Sequence, residues 1–587
     1  MSNKSTNIIA VVLLAVMLVT AFFSMKDDSA TMDELAHIPA GYSYLSQKDF
    51  RLNPEHPPLV KDLAALPLLF LNLNFPEDHP SWQKEINSQW WFGNEFLFHS
   101  GNDADKIIFL ARLPMILLLI FLGWFLFFWT KQLAGNKIAL MVLTLFSFSP
   151  AFLAHGRLVT TDVAATLGLV LATYFWLKFL KEPSKKNIFL TGIVLGVALL
   201  LKFSLILLVP FFGIITIIYA WLKTDHNHRA RNYILKYIGL SLLVGIIAII
   251  FIIWPVYQFH TLNYPSDKQL SDTKFILESN GFPVLKNLCV WAADKPIVHS
   301  LTHYILGLLM ATQRTVGGNT VYFMGMVSAT GWWYYFPVVY FLKVPLAFHI
   351  LALIALFSLA WFIKKPLWIG TKQRIKQWIV SHFTEFSMLV FLAIYWITSM
   401  TGNLNIGIRH ILPTFLFMYI LVSLGIKNWI GSIKKLPLRK MAISFISILL
   451  GFYILSSIAT YPYYLSYFNE IAGGTKDGYK YVTDSNYDWG QDLKRLKKWT
   501  DENNIEKIKT DYFGGGDVIY YLGDKWENLD PLLGPQKGWL AISATFLQGG
   551  KGNPTPGFDQ SFGYYRWLDD YEPVTRIGTS IFVYYIE

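Results

Sequence analysis

The sequence contains many runs of apolar residues that are long enough to cross a lipid bilayer. A hydrocarbon core of about 30 Å requires about 20 apolar residues in helical conformation. Nine such runs lie near residues 7–23, 107–130, 138–154, 161–180, 234–254, 337–362, 386–402, 406–426 and 441–460. Charged residues make up 15% of the chain, whereas they are about a quarter of a typical soluble domain. We therefore predict a polytopic α-helical membrane protein.

One further run, Ile188–Leu222, is too long for a single span. It is interrupted only by Lys202, and as one helix it would extend roughly 52 Å at 1.5 Å per residue. Basic residues flank both of its ends, and basic loops stay in the cytoplasm. We therefore expect two crossings that meet in a tight turn at Lys202, which gives about 11 transmembrane helices in total.

The distribution of basic residues predicts the orientation of these spans. The basic residues of the predicted cytoplasmic loops are Lys131, Lys137, Lys178, Lys181, Lys185, Lys186, Lys223, Arg229, Arg231, Lys364, Lys365, Lys372, Arg374, Lys376, Lys427, Lys434, Lys435, Arg439 and Lys440. The N-terminus is then cytoplasmic, and the first span is expected to be an uncleaved signal anchor in a plasma membrane, the inner membrane of a bacterium. The formal net charge of +11 thus reflects topology and does not indicate a nucleic-acid partner.

The outer side carries most of the polar sequence. Residues 1–460 form the predicted transmembrane catalytic domain, with long outer loops at 24–106 and 255–336. Apolar residues at helical spacing in Pro57–Phe70 and Leu301–Ala311 predict helices that lie at the membrane interface.

The tail, residues 461–587, is polar and is predicted to be a small extracytoplasmic α/β domain. Asp488–Trp499 has the spacing of an amphipathic helix, and Ile505–Phe513 alternates like a strand. The Gly514-Gly-Gly516 sequence after that strand is interpreted as a turn.

Ionisable residues gather at the predicted outer ends of the spans, and the cations among them oppose the charge pattern of the other loops. The group consists of Asp33, Glu34, Glu55, His56, Lys61, Arg157, Asp162, Lys202, Arg409 and His410. Concentrated charge beside a bilayer indicates a functional site. An acid here could deprotonate an acceptor hydroxyl, while the cations stabilise charge on a departing phosphate. The pattern therefore indicates glycosyl transfer from a lipid phosphate.

Each residue also has a structural interpretation. Asp33 and Glu34 could be loop acids, Asp162 could cap the helix that starts there, and Lys202 could be a turn residue whose amine reaches the lipid headgroups. The sequence has no Gly-rich loop followed by Lys-Ser/Thr, so a nucleotide-phosphate cradle is not expected. Its single cysteine, Cys289, excludes an intramolecular disulfide and a cysteine-based metal cluster.

Five segments occur in a recognisable order on the outer side: Met32-Asp33-Glu34, Asn53-Pro-Glu-His-Pro-Pro-Leu59 with Lys61, Arg157–Asp162, Leu199-Leu-Leu-Lys-Phe203 and Gly407-Ile-Arg-His-Ile-Leu-Pro413. In these segments the chain resembles GT-C glycosyltransferases of the protein O-mannosyltransferase and aminoarabinose-transferase superfamily. The resemblance implies the GT-C fold and an inverting transfer of a mannose-like hexose or related sugar from a polyprenyl-phosphate donor. The acceptor would be an extracytoplasmic hydroxyl on protein, lipid or glycan.

The resemblance also implies roles for individual residues. Asp33 would be the general base with Glu34 as its less certain partner, and Asp162 would assist or, together with Asp33, hold a divalent metal if one is present. The donor phosphate would be bound by a set of cations and a histidine, namely Lys61, Arg157, Lys202, Arg409 and His410. Glu55 and His56 would belong to a substrate loop.

The tail resembles an extension of bacterial members through Tyr467-Phe-Asn-Glu470 and Asp484–Leu493. We expect it to cover the site or to bind the acceptor. The main alternative function is a transporter or flippase of a lipid-linked glycan, which would need the same outer phosphate site. A transporter is expected to show repeat symmetry and ionisable groups near the midplane, whereas the charges here lie at predicted outer helix ends.

Overall fold

The computed structural model describes residues 2–223, 230–361 and 370–587. Within these ranges, eight helices are long and apolar enough to cross a membrane: Asn3–Ser24, Ala104–Ala134, Asp162–Lys181, Phe203–Leu222, Arg231–His260, Phe383–Thr401, Ile408–Ser432 and Leu436–Ala459. A ninth span would be the pair Tyr335–Lys343 and Leu346–Leu359, which is bent by 111°. The predicted polytopic helical architecture is confirmed. The predicted cytoplasmic residues Arg229, Lys364 and Lys365 lie outside the described ranges.

The predicted count of 11 crossings stays a prediction, because not every predicted run forms one straight span. The run near 138–154 forms Asn136–Ser147, of only 12 residues, and then the short helix Pro150–His155, which starts anew at a proline. The first half of the long apolar run forms Lys185–Leu199, of 15 residues. That helix ends before Lys202, whose backbone is extended (φ −162°, ψ 137°). The predicted break at Lys202 is therefore confirmed.

Shorter helices fill the loops between the spans: Met32–Ser46, Leu59–Ala65, Pro80–Gln83, Gln89–Asn94, Ser266–Ile276, Pro283–Ala292, Val298–Gly317 and Thr371–Ser381. The first predicted interfacial segment forms Leu59–Ala65 and continues as the 3₁₀ turn Leu66–Phe70, in which Phe70 is 90% exposed. The second lies within Val298–Gly317 and is longer than predicted. An outward apolar side chain such as Phe70 suits a helix in contact with lipid.

The tail has the predicted mixture of strands and helices. In chain order the strands of the protein are β1 Val321–Phe323, β2 Met326–Ser328, β3 Ile508–Asp511, β4 Trp526–Asn528, β5 Gly538–Ser543, β6 Asn553–Pro554, β7 Thr575–Ile577 and β8 Ile581–Ile586. A five-stranded sheet has the order β4-β3-β5-β8-β7, in which β3 is parallel to β4 and β5, and β8 is antiparallel to β5 and β7. The main tail helices are Leu493–Glu502, Val518–Leu522 and Ala544–Lys551. The amphipathic helix starts later than predicted, because the residues before it contact the membrane part.

The tail and the membrane part are joined by backbone pairing and by a common core. In a three-stranded sheet, β6 of the tail pairs with β2, which belongs to the loop 255–336, predicted to lie on the outer side. One buried apolar cluster includes Met25 next to the first span, Trp489 of the tail and Ile586 of β8. The tail therefore packs directly on the helical bundle, against the segment that leads into Asp33.

Candidate active site

Asp33 lies in the first turn of the helix Met32–Ser46, and its neighbour Glu34 fixes the start of that helix. Glu34 and Thr31 form a capping box, in which Glu34 Oε2 accepts from the Thr31 amide at 2.9 Å. The Arg112 guanidinium donates to both Glu34 oxygens, at 2.8 and 2.6 Å. Glu34 Oε1 also accepts from the Val159 amide at 3.0 Å. Glu34 is thus a structural anchor that leaves Asp33 facing the other way.

The electrostatics of Glu34 agree with this anchoring role. Burial by itself raises the pKa of the Glu34 carboxyl, but the charge and hydrogen bonds of Arg112 outweigh burial and lower it. Glu34 is fully buried and does not line the cavity described below. Glu34 therefore acts on the position of the Asp33 helix and not at the cavity itself.

Arg409 is the centre of the predicted charged cluster. Its Nη1 atom lies 2.6 Å from Asp33 Oδ2 and 3.4 Å from Asp162 Oδ2. Lys202 Nζ lies 2.5 Å from the other Asp162 oxygen. Four predicted residues from distant parts of the chain therefore form one row of alternating charge, Asp33, Arg409, Asp162 and Lys202.

The contacts in this row argue against the structural interpretations of Asp162 as a helix cap and of Lys202 as a turn residue that reaches the lipid headgroups. Asp162 is the first residue of its helix, yet its carboxylate contacts two cations and makes no capping hydrogen bond to the helix backbone among the described residues. Lys202 is only 8% exposed and donates to Asp162, so its amine does not extend toward lipid headgroups. Both side chains belong to the cluster.

A cavity of about 310 Å³ opens beside the cluster. Its polar lining includes Asp33, His37, Asn53, Glu55, His56, Gln89, Lys202, Arg314, Arg409 and His410. Its apolar lining includes Phe203, Ile206, Leu207, Leu308, Phe336 and Ile406. A pocket lined by both charged and apolar side chains suits a ligand with a phosphate and a hydrocarbon part.

The predicted substrate loop lies at this cavity. Glu55 accepts hydrogen bonds from Gln89 at 2.5 Å and from Asn87 at 3.2 Å. His56 packs edge-on against His37, with 5.1 Å between the ring centres. Burial, followed by the positive charge of Lys61 and Lys202 among others, holds the pKa of His56 well below its usual range. His56 therefore offers a neutral imidazole to a ligand at neutral pH.

Lys61 lies behind the substrate loop and not in the cavity lining. Its ammonium group contacts Tyr44 Oη at 2.7 Å, Asn53 O at 2.9 Å, Asn53 Oδ1 at 2.8 Å and His56 O at 2.9 Å. An ammonium group has three N–H donors, so these acceptors use all of them. Lys61 holds the loop Asn53–His56 in place and does not face a phosphate in the cavity.

Arg157 is also placed apart from the cavity. Its guanidinium lies 2.9 Å from the buried carboxylate of Asp28, which in turn contacts Arg495 of the tail at 2.8 Å. Arg157 is 1% exposed and is not part of the cavity lining. It links an outer loop to the tail, so a direct contact with the donor is not favoured by this arrangement.

Arg314 is a cavity residue that the sequence did not single out. It lies on Val298–Gly317 and is exposed. In the described part of the chain its guanidinium has no hydrogen bond or ion pair, whereas the other two lining cations, Lys202 and Arg409, contact carboxylates. The sequence did contain an indication of this role, since Arg314 is another cation on the predicted outer side. Its position at the cavity required the tertiary structure.

The two acids proposed as metal ligands do not form a ligand set in this arrangement. Arg409 contacts both Asp33 and Asp162 and occupies the space between their carboxylates. Across the described ranges, no group of three or more His, Cys, Asp or Glu side chains is placed to hold a metal ion. The residues present therefore do not fit a divalent metal between Asp33 and Asp162.

The helix arrangement of the chain has counterparts among solved structures. The chain is similar to the protein O-mannosyltransferase Pmt1-Pmt2 complex of S. cerevisiae bound to the sugar donor, with 12% identity and a TM-score of 0.51. That match covers 79% of this chain and 90% of the other. The fold of the chain is therefore similar to that of this membrane mannosyltransferase complex.

A family model gives a second, more local similarity. Residues 104–254, about a quarter of the chain, match the model of dolichyl-phosphate-mannose-protein mannosyltransferases. The matched region contains Arg157, Asp162 and Lys202. A comparison with curated protein sequences gave no match.

Two other solved structures are similar over nearly the whole chain. ArnT of Cupriavidus metallidurans bound to undecaprenyl phosphate has 11% identity, covers 98% of this chain and 97% of its own, and gives a TM-score of 0.42. The oligosaccharyltransferase of Archaeoglobus fulgidus has 11% identity, covers 95% and 71%, and gives 0.41. TM-scores below 0.5 do not by themselves define a common fold.

Proposed function

We propose that the protein is an inverting glycosyltransferase that moves a sugar from a polyprenyl-phosphate donor to an acceptor hydroxyl outside the cytoplasm. The observation that carries this proposal is the row of alternating charge at one cavity. Asp33 supplies a carboxylate at the cavity, and Lys202, Arg409 and Arg314 supply cations around it. A transporter would not require a carboxylate held beside the phosphate-binding cations.

The proposed donor class is supported by the chemistry of the lining and by the local family similarity. The cations of the lining suit a phosphate, and its apolar side chains suit a prenyl chain. The family model that matches residues 104–254 describes enzymes that use dolichyl-phosphate mannose. A polyprenyl-phosphate hexose is therefore the first donor to test.

In the proposed reaction, Asp33 accepts the proton of the acceptor hydroxyl as its oxygen attacks the anomeric carbon of the sugar. The new C–O bond forms as the bond between that carbon and the phosphate oxygen breaks. The electron pair stays on the lipid phosphate, where the three cations stabilise the negative charge. Attack from the side opposite the leaving phosphate inverts the anomeric carbon.

Arg409 has a double role in this scheme. Its contact with Asp33 holds that carboxylate in place at the cavity. When negative charge develops on the phosphate, the same guanidinium is at the cavity to meet it. Asp162 contacts both Arg409 and Lys202 and orients them, but it does not itself line the cavity.

The test is transfer of labelled sugar by the purified protein from a panel of undecaprenyl-phosphate sugars, with membranes as the source of acceptors. We expect transfer by the wild type and a loss of at least about 100-fold in Asp33→Asn, the range that general-base catalysis contributes. Asp105→Asn is the matched control, because Asp105 lies on the outer side but contacts Tyr521 instead of the cavity.

Two outcomes would contradict the proposal. If Asp33→Asn binds donor and transfers at the wild-type rate, Asp33 is not the base. If the wild type moves a lipid-linked glycan across vesicle membranes without forming a glycosylated product, the transporter alternative is correct.

A further inference from the structure

The tail residues Asp484–Trp489 reach the charged cluster, although they belong to the C-terminal domain. Trp489 is 1% exposed, and its ring centre lies 4.3 Å from Arg409 Cζ. A guanidinium over an indole face is held by a cation–π contact, which is strong when water is excluded. The tail therefore packs an aromatic ring against one face of the Arg409 guanidinium.

A second tail residue fixes the edge of the same guanidinium. Arg409 Nε donates to Ser485 Oγ at 3.1 Å, and Ser485 Oγ donates to the Ile406 carbonyl at 2.5 Å. A Cβ atom at Gly407 would lie 2.1 Å from Ser485 Oγ, so a glycine is required for this close approach. The neighbouring Asn486 Oδ1 accepts from the Ile408 amide at 2.9 Å. Backbone and side chain of the Arg409 turn are thus both held by the tail.

The tail also holds the segment that leads into Asp33. The Trp489 carbonyl accepts from the Met32 amide at 3.1 Å, directly before Asp33. On the preceding residues, Ser29 N donates to Gln491 O at 3.1 Å. The Gly515 amide donates to Ala30 O at 3.2 Å. One residue, Trp489, therefore contacts Arg409 with its ring and the Asp33 helix with its backbone.

We propose that Asp484–Trp489 is a positioning element of the active site, in which Trp489 and Ser485 set the orientation of Arg409 relative to Asp33. This inference rests on the glycosyltransferase function proposed above. Arg409 can reach two carboxylates, and only its Asp33 contact places the guanidinium beside the base. Without the tail contacts, the long arginine side chain would be free to pair with Asp162 alone. The tail is then a part of the catalytic site, in addition to any role in binding acceptor.

The inference is tested with Trp489→Leu, Trp489→Phe and Ser485→Ala, using the transfer assay. We expect kcat to fall by about tenfold or more in Trp489→Leu and Ser485→Ala, because a buried cation–π contact or a charge-assisted hydrogen bond has this magnitude. Donor KM should change by less than about threefold, since Lys202 and Arg314 still bind phosphate. Trp489→Phe keeps an aromatic face and should recover most of the lost kcat.

The matched control is Tyr521→Phe, which removes a different tail contact, the 2.7 Å hydrogen bond to Asp105. It should leave both kinetic constants unchanged. Wild-type kcat in both Trp489→Leu and Ser485→Ala would overturn the inference. So would a loss confined to donor KM, or a Phe variant no better than the Leu variant.

A second measurement does not depend on turnover. Melting temperatures of Trp489→Leu, Arg409→Met and the double variant form a cycle, and we expect the two single effects to be clearly non-additive. Additive effects would overturn the inference. If the wild type transfers no sugar from any donor, the proposed function fails, while this cycle still reports whether Trp489 and Arg409 act together.

Discussion

The three cations that line the cavity differ in how much of their charge is available to a ligand. Lys202 and Arg409 are each neutralised by a carboxylate, whereas Arg314 has no such partner within the described residues. A cation without a partner loses no ion pair when it binds phosphate. Arg314 is therefore expected to contribute more to donor affinity than its exposed position suggests.

We predict that Arg314→Gln raises the donor KM by about tenfold or more, as expected for loss of a charge-assisted contact, with little change in kcat. The measurement is the initial rate of transfer as a function of donor concentration. Lys295→Gln is the matched control, because Lys295 is a cation of the same outer loop that pairs with Asp294 away from the cavity. An unchanged KM in Arg314→Gln would show that Arg314 does not bind the phosphate.

A second prediction at this scale concerns pH. Burial raises the pKa of the Asp488 carboxyl from 3.8 to about 7. Between these values the folded protein holds a proton that the unfolded chain has lost, so the free energy of unfolding falls as the pH rises, by about 4 kcal/mol at most. Burial also raises the pKa of Asp484, to about 6, and this adds to the fall at the lower end.

Melting temperatures of detergent-purified protein between pH 5 and 8 measure this effect. We expect the wild type to melt at lower temperature as the pH rises, and Asp488→Asn to lose part of that dependence between pH 6 and 7. Asp569→Asn, which removes a 62% exposed carboxylate, should behave as the wild type. An equal slope in Asp488→Asn would contradict the prediction.

Much of the site could be predicted from residue types and their side of the membrane. Asp33, Asp162, Lys202 and Arg409 come together as expected, because cations that oppose the usual charge pattern need a specific partner. Lys61 and Arg157 met the same criterion, but they serve internal contacts. Sequence sidedness cannot distinguish a cation that faces a cavity from one that holds the loops around it.

At the scale of single elements, the helix Met32–Ser46 depends on a buried ion pair for its position. Glu34 and Arg112 are 0% and 2% exposed, and they connect the helix to the span Ala104–Ala134. Removing one partner leaves a charge buried without compensation. The position of Asp33, one residue away, depends on the same pair.

We predict that Glu34→Ala lowers the free energy of unfolding by about 3–5 kcal/mol, the range for breaking a buried pair. The measurement is the melting temperature, compared with Lys497→Ala, which breaks an exposed pair and should cost less than about 1 kcal/mol. The double variant Glu34→Met with Arg112→Met should regain part of the lost stability, because it buries no unpaired charge. Equal losses in the single and double variants would contradict this explanation.

Local composition predicts where apolar helices lie, but not every bend or helix start. Hydropathy located the apolar runs and the break at Lys202, since both depend on local composition. It could not show that the run after Tyr335 is bent by 111°, nor that the tail helix begins at Leu493. Both features depend on tertiary packing. The bend lies at a break between two helices, and the start of the tail helix is set by the packing of the preceding residues against the Asp33 segment.

For the whole molecule, the orientation in the membrane stays a prediction that the single cysteine makes easy to test. In a Cys289→Ser background, Lys498→Cys places a thiol at a 77% exposed position of the tail, and Lys440→Cys places one in a predicted cytoplasmic loop. We expect a membrane-impermeant maleimide to label Lys498→Cys in right-side-out vesicles and Lys440→Cys only after the vesicles are opened. The reverse pattern would place the proposed site on the cytoplasmic side.

The contact between Trp489 and Arg409 can form only late in the synthesis of the chain. The site combines Asp33, near the start of the chain, with residues that are synthesised more than 450 positions later. A nascent chain whose spans are already inserted still lacks the groups that orient Arg409. Under the function and the positioning role proposed above, membrane insertion and the onset of activity are therefore separate events, and we expect no transfer by a ribosome-bound chain until its tail has folded.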